Sequence, residues 1–156
     1  MLELLFLLGF TLHNLEEALW LPGWSKHARG FLLEVGRNEF HFAALVVTIL
    51  GYGFTFLHLT NQGMYTQCLF YGFVLMMCFN AIFPHLIATL LFKRYAPGLL
   101  TGLFLNLPIG LKLVQEGLSA GLSERCLILA TVILAITAAL LIRPLFKLGG
   151  RIIDPY

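Results

Sequence analysis

The sequence predicts an all-α fold, a polytopic membrane bundle of about five transmembrane helices forming one integral-membrane domain over 1–156. Three observations carry that reading. Hydrophobic residues make up 59% of the chain and charged residues 12%, against roughly 45–50% and 25% in soluble proteins. With a mean hydropathy of +0.87, the chain lacks the polar surface to cover a core in water and must be solvated by lipid. The apolar residues also fall into five stretches, near 2–21, 40–59, 66–92, 98–114 and 126–143, each at or close to the roughly 17–25 residues that cross a bilayer as helix. Finally, basic residues collect in alternate connections, as they do when loops face the cytoplasm in turn. The net charge of +2 is too small and too dispersed for a nucleic-acid footprint.

The first segment begins MLELLFLLGF, with no basic residue ahead of it and no small-residue cleavage site, so it reads as a mature helix and not a signal peptide. Pro22 and Gly23 should end it. Asn38 is placed to cap the second helix, with Glu39 at the positive end of its dipole. The third contains Pro84, which withdraws an amide and permits a kink between Asn80 and His85. Pro97 sits where the fourth helix should start, a position at which its missing amide costs nothing. The fifth, about 126–143, follows a loop in which Glu116 and Glu124 balance Lys112 and Arg125. Lys26, Arg29 and Arg37, then Lys93 and Arg94, then Arg143, Lys147 and Arg151 mark one side, whereas TNQGMY at 60–65 has no basic residue. The amino terminus is therefore expected outside and the carboxyl terminus in the cytoplasm, in the plasma (inner) membrane for a bacterial chain. Cys68, Cys78 and Cys126 match neither a metal knuckle nor a disulfide framework in spacing and read as small apolar membrane residues.

Chemistry concentrates in HNLEE. At about 100° per residue, Glu17 lies roughly 40° to one side of His13 and Glu16 roughly 60° to the other, so the three can address one object. Acids buried in a membrane cost about 2.5–3.5 kcal/mol each on insertion scales, and adjacent carboxylates repel; a cation between them removes both problems. The plainer alternative keeps the trio solvated at the cytoplasmic end, paired with Lys26 or Arg29. Once the helices are oriented, Glu39 and His41, Asn80 and His85, and Asn106 all fall in the same cytoplasmic half. In an antiparallel bundle they share a layer with HNLEE. Glu39 and His41 cannot both face inward from a regular helix, and His41 is the one favoured as ligand. His27 and His58 read as interfacial residues.

HNLEE, a further histidine downstream, and YAPG at Tyr95, Ala96, Pro97 and Gly98 together resemble the HXXEE-domain family of small multi-helix membrane proteins, over about 1–110. The resemblance implies a membrane enzyme, with a site drawn from His13, Glu16, Glu17, Tyr95, Pro97 and Gly98 and with His41 or His85 as the further histidine. The spacing also echoes the inverted zinc peptidases, whose H-x-x-E-H uses residues i and i+4 as ligands and the Glu at i+3 as base; Glu17 here replaces the second histidine. EEALWL lacks the Arg of the EExxxR motif in intramembrane prenyl-protein peptidases.

The expected function is a membrane-embedded metal-dependent hydrolase acting on a lipid or lipid-linked substrate. His13, Glu17, His41 and His85 are the candidate ligands of a divalent ion, zinc favoured and iron the alternative, with Glu16 and Asn80 catalytic. Glu39, Asn106, Tyr95, Pro97 and Gly98 are candidate additional members. The competing expectations are a di-iron oxidoreductase, against which stands the lack of HxxxH and HxxHH boxes, and a non-enzymatic ion or proton transporter or binding scaffold.

Overall fold

The computed structural model describes residues 1–28, 30, 34–61 and 63–153; Arg29, counted above among the basic loop residues, lies outside them. The chain is an all-α bundle. We number its helices α1 (Leu2–Ser25), α2 (Arg37–Thr60), α3 (Met64–Phe92), α4 (99–119) and α5 (Glu124–Ile153). Packing contacts run α1–α2–α5–α3–α4 and back to α1, with α2 also touching α3. Helices α1, α2, α3 and α5 are long and apolar enough to cross a membrane. Their outer faces leave large side chains bare, among them Leu8, Ile49, Leu90 and Leu140, a surface that lipid solvates and water does not.

The core is aromatic at the end away from HNLEE. Phe73 of α3 meets Phe10 of α1 edge-on at 5.1 Å and Phe6 at 6.3 Å. Glycine lets the helices close on one another: a Cβ at Gly110 would stand 2.4 Å from Cys78 Sγ, and one at Gly72 would stand 2.6 Å from Ala130 Cβ. Such close approach is how helices associate when lipid offers no hydrophobic penalty to separation.

Several ends differ from expectation. Helix α1 continues through Pro22 to Ser25. Proline removes the N–H that would pair with the Ala18 carbonyl, and His41 Nε2 supplies the missing donor at 2.8 Å. Helix α2 opens after Gly36, not Asn38, and Glu39 reaches back to accept the Gly36 N–H at 2.8 Å, half of a capping box. Pro97 precedes α4; the N-cap is Gly98 at φ +93°. Helix α5 runs to Ile153, so Arg143, Lys147 and Arg151 are helical. Cys68 and Cys126 form a disulfide that joins the amino-terminal ends of α3 and α5, with Cα atoms 5.8 Å apart; only Cys78 keeps the expected character of a small buried apolar residue.

Two π-helical stretches, Ala81–Leu86 in α3 and Gly102–Asn106 in α4, face each other. Pro84 lies inside the first and Pro108 just beyond the second. Phe83 takes the extended conformation φ −120°, ψ 120°, and there α3 bends. The bend and the start of α4 are the elements that complete the site around α1.

Candidate metal centre

His13 is fully buried in α1. Its Nδ1 lies 3.2 Å from Thr101 Oγ1, and that hydroxyl lies 2.6 Å from Glu16 Oε2. A hydroxyl has one hydrogen, and the carboxylate is an acceptor. Thr101 therefore donates to Glu16 and accepts from His13 Nδ1–H. The imidazole is held in the tautomer whose Nε2 lone pair points away from Thr101, the arrangement by which outer carboxylates prepare histidine for a metal ion.

On that side stand two more candidate ligands. Glu17 Oε1 is 3.0 Å from His85 Nε2 and 3.8 Å from His13 Nε2. The two imidazole rings meet edge-on at 5.1 Å. One ligand atom from each of His13, Glu17 and His85 lies within 4.8 Å of the other two. Two imidazole nitrogens and a carboxylate oxygen suit a first-row divalent cation, so this group could hold one.

Glu16, one residue before Glu17, turns the other way. Gly98 N donates to its Oε1 at 2.7 Å, Thr101 N donates to its Oε2 at 3.1 Å, and the Tyr95 hydroxyl donates to Oε1 as well. Tyr95 also accepts the Leu100 N–H at 3.1 Å. The carboxylate thus caps the amino terminus of α4 from another helix, satisfying amides that α4 itself cannot pair and meeting the positive end of its dipole. YAPG is shaped for this. Positive φ at Gly98 turns the chain into α4, and a Cβ there would stand 2.6 Å from His85 Cε1 and 2.9 Å from His13 Cε1. Pro97 is buried at the same turn. Burial, and after it the bond to Glu16, pushes the Tyr95 phenol up to about 12, so it stays a donor.

The bend at Phe83 and Pro84 brings Asn80 into the same space, its amide nitrogen 3.1 Å from His13 Nε2 and 3.2 Å from His85 Nε2. His41 does not join. It is exposed and engaged with the Ala18 carbonyl, and Glu39 is spent on Gly36; the layer expected to hold them with HNLEE does not form, because Asn14 of HNLEE meets α2 at Thr48, about two turns further along. Asn106 is fully buried one turn beyond Gly102, beside Gly9, and among the described residues neither atom of its amide finds a partner. His58 lies at the far end, stacked on Phe70 at 4.3 Å. Thr101 is the site residue that sequence reasoning missed; its signal was a hydroxyl in the first helical turn after YAPG.

A groove of about 740 Å³ opens beside this centre. Leu12, Leu15, Leu19 and Trp20 of α1 face Pro97 and Leu100 across it, and Glu16, Tyr95 and Thr101 are its polar lining.

Residues 4–113 match the family model described as protein of unknown function with HXXEE motif. The chain is 45% identical over 150 residues to a Bacillus subtilis (strain 168) protein named "Uncharacterized protein YrkK", covering 94% of each chain. No solved structure matches. With HNLEE and YAPG joined at one site, and with the match spanning most of the sequence, this chain belongs to the family of proteins that carry the HXXEE motif.

Proposed function

We propose that the protein is a membrane-embedded, metal-dependent hydrolase whose substrate is a lipid or lipid-linked molecule entering from the cytoplasmic leaflet. The carrying observation is the convergence of His13, Glu17 and His85 next to an apolar groove bounded by Glu16 and Thr101. His13 Nε2, His85 Nε2 and Glu17 would hold the ion. When bound, a divalent cation of this kind supplies Lewis acidity toward a carbonyl or phosphoryl oxygen and toward water. Among the described residues one cluster of three candidate ligands occurs, which supports a single ion better than a bridged pair.

The chain's own residues divide the remaining work. Thr101 and Glu16 fix the His13 tautomer. With both Glu16 oxygens engaged by four donors, the role of base moves to Glu17, whose Oε1 faces the imidazoles and whose second oxygen takes the proton from water. The leucines and Trp20 along the groove accept an apolar chain, which places its polar end near Thr101. Orientation follows from charge and redox chemistry together: Lys26, Arg37, Lys93 and Arg94 cluster at the site end, whereas Cys68–Cys126 lies at the opposite end, where an oxidising compartment maintains it.

The test is elemental analysis of the detergent-purified protein beside His13→Ala, with release of water-soluble or fatty-acid product from radiolabelled membrane lipids measured in both. We expect one transition-metal ion per chain in the wild type, its loss in His13→Ala, and parallel loss of product. Equal metal content in the two would overturn the site, and metal without hydrolysis of any lipid class would overturn the reaction.

A further inference from the structure

The positions of the hydrogens around Asn80 do not close. Thr101 gives its hydrogen to Glu16 and accepts from His13 Nδ1, so the neutral His13 imidazole carries its lone pair on Nε2. If the Asn80 nitrogen donates to His13 Nε2 and, at 3.2 Å, also to His85 Nε2, then His85 Nε2 must carry a lone pair too. It then meets the Glu17 carboxylate lone pair to lone pair at 3.0 Å. If His85 Nε2 instead carries a hydrogen for Glu17, it meets the Asn80 N–H donor to donor. Turning the amide so that its oxygen faces inward repairs the His85 contact but sets the oxygen against the His13 lone pair. With both imidazoles neutral and both carboxylates ionised, each arrangement of protons leaves one like-to-like contact around two buried histidines, which native interiors avoid.

A cation resolves all of them at once. Rotating the Asn80 amide by 180° exchanges its nitrogen and oxygen without moving the side chain. His13 Nε2, His85 Nε2, Glu17 Oε1 and Asn80 Oδ1 can then all offer lone pairs to an ion among them. The separations of 3.0, 3.1, 3.2 and 3.8 Å bracket the roughly 3.3 Å edge of a tetrahedron whose ligand bonds are about 2.0–2.1 Å. We infer that Asn80 is a metal ligand, its amide oxygen completing a two-nitrogen, two-oxygen shell with His13, His85 and Glu17.

This deepens the proposed function and rests on its ion. Asn80 also acquires a role in turnover. As the one neutral oxygen ligand it would be the weakest of the four and the one a substrate or water oxygen would displace. The same ligation explains the bend at Phe83 and Pro84, since a straight helix would hold Asn80 and His85 about 140° apart.

The test measures zinc affinity of the full chain in detergent micelles by competition with a chromophoric chelator, with cobalt(II) absorption reporting coordination number. Wild type, Asn80→Ala, Asn80→Asp and His13→Ala are compared, each checked for helicity and monodispersity. Asn80→Ala should bind zinc about tenfold more weakly or worse and change the cobalt spectrum. Asn80→Asp, which is isosteric and keeps an oxygen in place, should bind at least as tightly as wild type. Wild-type affinity and spectrum in Asn80→Ala, with His13→Ala impaired, would overturn the fourth ligand and leave the proposed ion standing. Asn80→Asp as weak as Asn80→Ala would show that the amide N–H was needed, overturning the inference likewise. A wild type that takes up no more zinc than His13→Ala would sink the ion and this inference together.

Discussion

The Tyr95 hydroxyl donates to the Glu16 carboxylate across 79 residues of sequence, so the two motifs of the chain are halves of one contact. Tyr95→Phe should lower stability by about 1–2 kcal/mol by withdrawing a donor from a buried anion. The sign of its pH dependence follows from the raised phenol. Folding favours the neutral form, pushed up to about 12 from about 10, so the contribution is complete below about pH 10 and is lost as pH rises toward 12. Thermal melts of wild type and Tyr95→Phe should differ at neutral pH and converge at the alkaline end; a constant gap would mean that the phenol is not held neutral.

The two acids of HNLEE should respond differently to amide substitution. Glu17→Gln removes an anionic ligand, and metal should be lost from the purified protein. Glu16→Gln turns an amide N–H against donors at Gly98 and Thr101 and loosens His13 from outside, so zinc affinity should fall by about 10–100-fold, the range for an outer-shell partner. Equal loss in both variants would reject the division between them.

Gly98→Ala should harm the centre more than the fold. The substitution strains a backbone at φ +93° by about 1 kcal/mol or more and drives a methyl into both imidazoles. Metal stoichiometry should drop while helicity persists, and a fully metallated Gly98→Ala would show that the imidazoles can yield.

His41 offers a test with the opposite pattern. His41→Ala leaves the Ala18 carbonyl unpaired and should cost about 0.5–1.5 kcal/mol without changing metal content. In a Pro22→Ala background the restored N–H pairs that carbonyl within the helix, so the same mutation should cost less. A double-mutant cycle in thermal stability reads the difference, and additivity would disprove the link between Pro22 and His41.

Orientation can be read with thiols. Denatured, unreduced protein should take one maleimide adduct, at Cys78, and three after reduction. A cysteine at Ser123 should react with an impermeant maleimide on intact cells, and one at Lys93 only after permeabilisation. The reverse accessibility would place the site on the outer side.

The helical bundle was legible because hydropathy reports the length of each apolar segment. Which polar residues share a level was not. His85 reaches His13 through the Pro84 bend, whereas His41 meets α1 at Ala18, where the Pro22 vacancy engages it, and the α2 residue level with HNLEE is Thr48, bound to Asn14. From α1 alone Glu17 read as ligand and Glu16 as base; what α1 could not show is α4, whose amino terminus claims Glu16. Spacing rules for small disulfide-rich chains had no purchase on Cys68 and Cys126, which lie 58 residues apart and meet through the packing of α3 on α5.

The cap on Glu16 also dictates an order of assembly. Its donors lie 79 to 85 residues downstream, so during synthesis α1 leaves the ribosome and enters the bilayer well before any of them exists. Until α4 arrives, Glu16 must stay protonated, hold water, or wait at the membrane edge, at a cost of about 2.5–3.5 kcal/mol if it is buried early. Docking of residues 95–101 ends that exposure and orients His13 in the same movement, so a nascent chain acquires the arrangement that could hold a metal ion only when the α1–α4 pair has formed.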